Sequence, residues 1–336
     1  MNVDSPGARL GRVAVVVAVT AVVAAAGWVL FVRVPGGSLA RLLGVVLAVG
    51  VLLGGVRLAG SVAQTVFPSY NVAEVGVDGP ITRDASRGFP SAPTTPGADD
   101  VVEQIRNADD DGNADALLLR LNTPGGEVVP SDDIRDAAED FEGPTVAYAT
   151  DVCASGGYWI ATGCDRVFAR EGSVVGSIGV VGSTVNLSEL ADDLGVAYER
   201  FAAGEFKDAG NALKEMREED REYLQGIVDD YYERFVERVT EGRDVDAETV
   251  RGTEARVYLG EEARELGLVD EVGTREDALD HVEQRLGAPV AVREFEPRRG
   301  LRSRIRGGAA AVAYALGAGV ADALVEGDDG GRFKLR

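Results

Sequence analysis

The order of apolar and polar positions divides the chain into two unlike parts. Val13 to Val32 is an uncharged, almost wholly apolar run between Arg12 and Arg33, and about 20 such residues suffice for a helix to cross a bilayer core. Leu42 to Val56 is a second, shorter run between Arg41 and Arg57. It crosses if Arg57 snorkels and the helix continues through Leu58 to Ala63; otherwise it lies in the interface. A cleavable signal peptide has a shorter apolar region and a clear small-residue cleavage site. Residues 1–66 are therefore predicted to be a retained membrane anchor of one or two helices. Arginines stand before, between and after the runs, so no asymmetry of positive charge fixes the orientation.

From Tyr70 the pattern changes to strands alternating with helices. Val72 to Val77 alternates as a strand and ends in Asp78-Gly79-Pro80, a turn signal. Arg87 to Ala98, rich in Pro, Ser, Thr and Gly, reads as an exposed loop. Helices are expected over Asp99–Ala108 and Ser131–Glu139, with a short one from Gly156. Strands are expected over Ala116–Leu121, Val146–Thr150, Arg166–Ala169 and Val180–Val185. On Glu218–Glu241 the residues Tyr223, Ile227, Tyr231, Phe235 and Val239 recur at near-helical spacing, which predicts a long amphipathic helix. The alternation predicts an α/β domain with a largely parallel sheet over residues 70–290. The tail, 291–336, holds a basic stretch at Arg298–Arg306 and an Ala- and Gly-rich stretch at Gly307–Val325. It reads as a terminal helix packing on a neighbour, or as a helix on the membrane surface.

Composition narrows the partners. The 336 residues carry 56 acidic and 34 basic side chains, a net charge of −22, and three lysines: Lys207, Lys214 and Lys334. A strongly anionic, lysine-poor surface is what adaptation to high salt produces, because self-repulsion is screened there within a few Å. It points to a halophilic archaeal source. The absence of a basic patch in the domain argues against nucleic acid. Cys153 and Cys164 lack metal-ligand spacing and read as small buried residues. No His/Cys/Glu cluster suits zinc, and no Gly-rich loop followed by Lys-Ser or Lys-Thr suits a phosphate. No metal or cofactor is expected.

The single histidine, His281, lies in Ala278–Val282, which reads as a surface helix. A Ser-His or Cys-His enzyme would have to use it. Three other segments are candidates for chemistry. Ser155, in Ala154-Ser155-Gly156-Gly157, follows a strand and opens a helix. At such an N-terminus free N–H groups favour negative charge, and the Gly156 N–H is placed to hold an oxyanion. An ordinary N-cap serine has the same signature. Gly125-Gly126, ending Asn122-Thr123-Pro124-Gly125-Gly126, is an oxyanion loop or peptide-binding edge, or simply a strand-to-helix turn. Lys207, in Gly204-Glu205-Phe206-Lys207-Asp208-Ala209-Gly210, is a candidate base if burial keeps its amine neutral, and otherwise a surface loop lysine.

Together these segments resemble the signal peptide peptidase A family of Ser-Lys peptidases, in the Clp protease/crotonase superfamily. Gly172–Val180 is similar to that family's Gly-Ser-Ile-Gly-Val stretch, and Arg256–Gly260, with Ala263, Gly267–Asp270 and Gly273, to its C-terminal signature. The resemblance covers about Val72 to Val272. It implies Ser155 as nucleophile, Lys207 as the base that takes its proton, and Ser177 as the hydroxyl that orients the lysine. Gly156 and the Gly125-Gly126 turn correspond to the backbone oxyanion region. Thr123 stands where the family often has serine. The resemblance further implies an extracytoplasmic peptidase that degrades signal-peptide remnants and unfolded peptides without metal or ATP. It also implies a homo-oligomeric ring with the site built between neighbours. Two rivals remain at this stage: a stomatin-associated membrane peptidase, and a non-catalytic membrane scaffold.

Overall fold

A computed structural model describes residues 6–33, 38–66, 69–84 and 96–296. Helix α1 (Pro6–Trp28) ends in one π-helical turn at Val29–Arg33, and α2 (Ser38–Val66) packs along it. Gly27 faces Val51 and Gly55 faces Val23, so the two helices are antiparallel. Close approach needs the glycines: a Cβ at Gly55 would fall 2.4 Å from the Val23 side chain. Leu10–Arg33 is long and apolar enough to cross a membrane by length and composition, with a mean hydropathy of 2.6; in α2 the apolar stretch Leu47–Gly60 is shorter. Val13, Val17, Val22, Leu53 and Leu58 point outward.

The rest of the described chain is an α/β domain. Its elements run β1 (Val72–Asp78), α3 (Ala98–Asp109), β2 (Ala116–Thr123), α4 (Val128–Glu139), β3 (Thr145–Ala154), α5 (Gly156–Ala161), β4 (Arg166–Ala169) and β5 (Val174–Gly176). Then follow α6 (Ser188–Asp193), α7 (Glu218–Gly242), α8 (Ala247–Gly252), β6 (Val257–Leu259), α9 (Gly260–Glu265), β7 (Glu271–Val272), α10 (Arg275–Leu286) and β8 (Val292–Phe295). The sheet order is β6-β5-β3-β2-β1-β8, with β4 beside β3 and β7 beside β4. Among the described strands only the β5–β6 pair is antiparallel. This is the expected α/β domain with a largely parallel sheet.

Side-chain alternation across the pleat explains the layers. Leu117, Leu119 and Leu121 of β2, with Ala147 and Ala149 of β3, face the cluster that includes Ile105, Ile134, Ile160 and Phe235 from α3, α4, α5 and α7. Ala116, Leu118, Val146, Tyr148 and Phe168 face the other way, against Ala278 and Val282 of α10. With both faces covered, a central strand reads as a largely apolar run, as Ala116–Leu121 does apart from Arg120. Helix α10 is bounded as its sequence dictates. Thr274 and Asp277 form a capping box at its start, and Gly287 ends it at φ 63°.

Strand β3 serves two partners in succession. Val146–Ala149 pairs with β4, and Val152–Ala154 pairs with β5. The Ser173 hydroxyl sits buried at the fork and donates to the Thr150 carbonyl at 2.6 Å. The fork brings the end of β5 level with the end of β3. One expectation fails nearby: Val180–Val185 forms no strand. Val181 and Val185 are exposed, and the segment has no strand partner. Strand β8 joins β1 in parallel at the start of the segment read as a tail. Arg298–Arg306, Gly307–Val325 and residues 85–95 of the expected loop lie outside the described residues.

The contact of α7 with the core centres on Phe235, 1% exposed, whose ring lies 4.8 Å from that of Trp159 in α5. Phe235→Ala should lower the unfolding free energy by about 3–5 kcal/mol, read by chemical denaturation. A loss below about 1 kcal/mol would mean that the cavity collapses and that α7 is not anchored here.

Candidate active site

Ser155, Gly125-Gly126 and Ser177 all stand at the carboxyl ends of strands, the edge at which open α/β sheets bind ligands. Ser155 follows β3, Gly125-Gly126 follows β2, and Ser177 follows β5. Ala154 pairs with Gly176, so Ser155 and Ser177 are level on neighbouring strands, and the Ser155 N–H donates to the Gly176 carbonyl at 2.9 Å.

Backbone crowds the space around Ser155. A Cβ at Gly125 would lie 2.6 Å from the Gly156 nitrogen and 2.8 Å from the Ser155 Cβ. One at Gly156 would lie 2.4 Å from the Ser131 Oγ and 3.1 Å from the Gly126 nitrogen. The Gly126 and Gly156 nitrogens are therefore close together. Gly156 is the first residue of α5, so its N–H has no acceptor within the helix. Thr123 shapes the loop: its hydroxyl accepts the Gly125 N–H at 3.0 Å, and a Cβ at Gly157 would meet its methyl at 2.6 Å. Helix α5 is buried throughout. The Tyr158 hydroxyl donates to the Leu268 carbonyl, and the Trp159 indole donates to Asp132, both at 2.8 Å.

The backbone here is strained. Ser155 has φ 53° and ψ −123°, a conformation suited to glycine. Ser177 has φ 52°. The other described non-glycine residues at positive φ are Glu254 and Ala255, in the turn before Arg256, whose carbonyl accepts the Ser177 N–H at 2.8 Å. A Cβ at Gly179 would fall 2.6 Å from that of Ala255. The four therefore belong to one hydrogen-bonded assembly. Sequence reading missed the 253–256 turn, because Glu and Ala carry no signal for a left-handed backbone.

Lys207 stands apart. It is exposed in a turn, and among the described residues it makes no hydrogen bond to Ser155. The structure thus brings together Ser155, Gly156, Gly125, Gly126 and the Ser177 backbone within one chain, and not Lys207. The segment from 179 to 217 that carries it is mostly outside the core, with Val181 89% and Phe201 93% exposed. The neighbouring Asp208 has its carboxyl held below the usual range by its hydrogen bond from Arg200.

The remaining candidates are silent. His281 lies on α10, tilted against Phe168, with its Nδ1 3.7 Å from Glu271. Both cysteines are free and buried; burial pushes the Cys153 thiol far up and that of Cys164 up to about 12. Neither supplies a thiolate at neutral pH. Among the described residues no His, Cys, Asp and Glu group is arranged to hold a metal.

Residues 137–288 match Peptidase family S49. A Methanocaldococcus jannaschii protein named as a protease is 36% identical over 54% of this chain and 60% of its own length. A Synechocystis protein, also named as a protease, is 39% identical over 48% of this chain and 60% of its own length. An Enterococcus faecium protein named as a signal peptide peptidase is 35% identical over 54% of each. The chain thus spans little more than half the length of these relatives. Among solved structures, a membrane-bound stomatin-specific protease covers 68% of this chain at 17% identity, with a TM-score of 0.42, too distant to bear on function. The matched relatives, named as proteases and as a signal peptide peptidase, are consistent with the resemblance to the signal peptide peptidase A family.

The strain at residue 155 gives a direct test. Ser155→Gly should be more stable than Ser155→Ala by about 1 kcal/mol, because alanine keeps the left-handed penalty and glycine removes it. Urea denaturation of the two variants measures this. Equal stability would show that the backbone relaxes out of the strained conformation.

Proposed function

We infer that this chain, which carries a match to Peptidase family S49 over residues 137–288, is a membrane-anchored serine endopeptidase acting on signal-peptide remnants and other unfolded peptides. The observation that carries the reading is Ser155 itself. It is held at φ 53° at the carboxyl edge of the sheet, beside the Gly125-Gly126 turn and the Gly156 nitrogen. In the proposed reaction Ser155 Oγ attacks the peptide carbonyl while Lys207 takes the hydroxyl proton. The tetrahedral oxyanion is held by the Gly156 N–H, with Gly126 beside it; one such donor is worth about 2.7–4 kcal/mol in the transition state. The proton passes to the leaving amine, and water hydrolyses the acyl-enzyme. Ser177, level with Ser155, orients the lysine amine.

Lys207 being exposed, in the same 179–217 segment as the exposed Val181 and Phe201, supports the further reading that the base reaches the nucleophile of a neighbouring protomer in a homo-oligomeric ring. The apolar, outward-facing α1 supports the anchor in a lipid bilayer; placing the catalytic domain outside the cytoplasm rests on the family resemblance. The acidic, lysine-poor composition supports a high-salt habitat in an archaeon.

Ser155→Ala and Lys207→Ala should each lower kcat on a fluorogenic peptide by at least about 10^3-fold, with His281→Ala near wild type. Ser155→Ala should also lose labelling by a fluorophosphonate probe. Full activity in either of the first two variants would sink the dyad.

A mixing experiment tests the shared site. Folded Ser155→Ala and Lys207→Ala chains, each inactive alone, are combined under conditions that exchange subunits. Activity should return, because some interfaces then hold both groups. A mixture that stays inactive after demonstrated exchange means that each chain closes its own site.

A further inference from the structure

The turn that carries Lys207 is fastened by a chain of ion pairs. Asp208, with a side chain 10% exposed, receives Arg200 Nε at 2.6 Å on one oxygen and Lys214 Nζ at 3.2 Å on the other. Lys214 then reaches Asp220 Oδ2 at 2.8 Å. Asp220, 1% exposed, lies in the first turn of α7, where Arg217 grips it with Nη2 at 2.8 Å and Nε at 3.1 Å. Arg200 also donates to the carbonyls of Gly204 and Glu205 at 3.4 and 3.3 Å, folding residues 200–208 back on themselves.

Two observations separate this set from ordinary surface pairing. The bridge is largely out of water: Lys214 is 16% exposed, between two carboxylates at 10% and 1%. Salt screens such a pair little, and removing one partner leaves an uncompensated charge. The second concerns residue type. In a chain with three lysines, whose other cations are arginines, position 214 is a lysine. An ammonium is a compact charge with three donors, suited to two carboxylates on different segments, whereas the flat guanidinium fork favours one carboxylate face-on. Hydrogen bonds from Arg200 to Asp208 and from Arg217 to Asp220 hold both carboxyls below the usual range, so the bridge is intact at neutral pH. Because these pKa values are depressed, the bridge persists as pH falls and is lost only as pH drops through the lowered values.

We propose that Lys214 is a positioning residue for Lys207: by joining Asp208 to Asp220 it fixes the Lys207 backbone against α7 and sets where the Lys207 amine stands. The inference rests on Lys207 being the base.

The test uses the full chain with Lys214→Met, Lys214→Arg, Asp208→Asn and the double variant Asp208→Asn/Lys214→Met, with Lys207→Ala alongside. Hydrolysis of a fluorogenic peptide gives kcat and KM, and end-point titration with a fluorophosphonate counts competent sites. Per titrated site, Lys214→Met should lose about 10- to 100-fold in kcat with KM within about twofold, the cost of a base displaced by about 1 Å. Lys214→Arg should recover about tenfold of that loss through its charge. The double variant should be no worse than the poorer single variant, since both break one bridge. A merely structural role would lower the number of titrated sites and leave kcat per site unchanged. Lys214→Met with unchanged kcat per site, beside an inactive Lys207→Ala, overturns the proposal and leaves the base assignment standing. An active Lys207→Ala overturns both. If Lys214→Met does not fold, Arg200→Gln releases Asp208 from its exposed side and is read in the same way.

Discussion

At the carboxyl edge of the sheet, backbone meets backbone with no side chain between. A Cβ at Gly125 would strike the Gly156 nitrogen, one at Gly157 the Thr123 methyl, and one at Gly176 the Arg256 carbonyl oxygen, all within 3.0 Å. The loop after β2, the turn after β3 and the 253–256 turn are thus locked by contact. That lock forces Ser155 and Ser177, with Glu254 and Ala255 behind them, into left-handed backbone costing about 1–3 kcal/mol each. Such strain survives only where the surroundings over-determine it. Here they do: α5 is buried along its whole length and is tied by Tyr158 to the Leu268 carbonyl and by Trp159 to Asp132. Ser155 is therefore held at the start of a fully buried helix.

The side bearing Lys207 is built on opposite terms. From 179 to 217 the chain forms a single short helix, α6, and most of its side chains face outward. What orders it is largely polar: the Arg200–Asp208–Lys214–Asp220–Arg217 chain of charges and the Thr184 hydroxyl on the Gly210 carbonyl at 2.7 Å, with the Phe206 ring stacked on Tyr223 of α7 at 5.0 Å. Buried and outward-facing halves divided in this way would suit the proposed peptidase, which must hold an oxyanion in fixed geometry yet admit an extended chain. Preorganised donors lose their value if they move, while a binding edge must open.

Much of this was legible from residue order. Ala116–Leu121 reads as buried strand because both faces of β2 are covered, and α7 reads as helix because Phe235 and Val239 recur on its buried face. The Gly125-Gly126 and Ser155-Gly156 segments announce themselves, since close backbone approach admits no other residue type. What was not legible has physical causes. Val180–Val185 is rich in β-branched residues, as strands are, but no partner strand is there to pair with it. Strands β5 to β8 are two to four residues long, too short for any period to emerge. The left-handed turn at Glu254-Ala255 is imposed by Gly176, Gly179 and the Arg256 carbonyl, contacts distant in sequence that leave no local trace.

Holding a segment by charge rather than by a core has a consequence for what it can present. A segment that folds around its own apolar side chains spends them; one pinned by ion pairs keeps Val181, Leu194 and Phe201 outward for another surface. The usual objection is that ion pairs are weak in water and weaker in salt. It applies to Arg200, which is 40% exposed, and hardly to Asp220 at 1%. Raised ionic strength should therefore loosen the outer closure of residues 200–208 before it loosens the Lys214–Asp220 arm, since a buried pair is screened far less than an exposed one. The order of failure matters: the arm that outlasts the other is the one tying the Lys207 turn to α7. That helix reaches back through Phe235 to Trp159 and α5, and so to Ser155 itself.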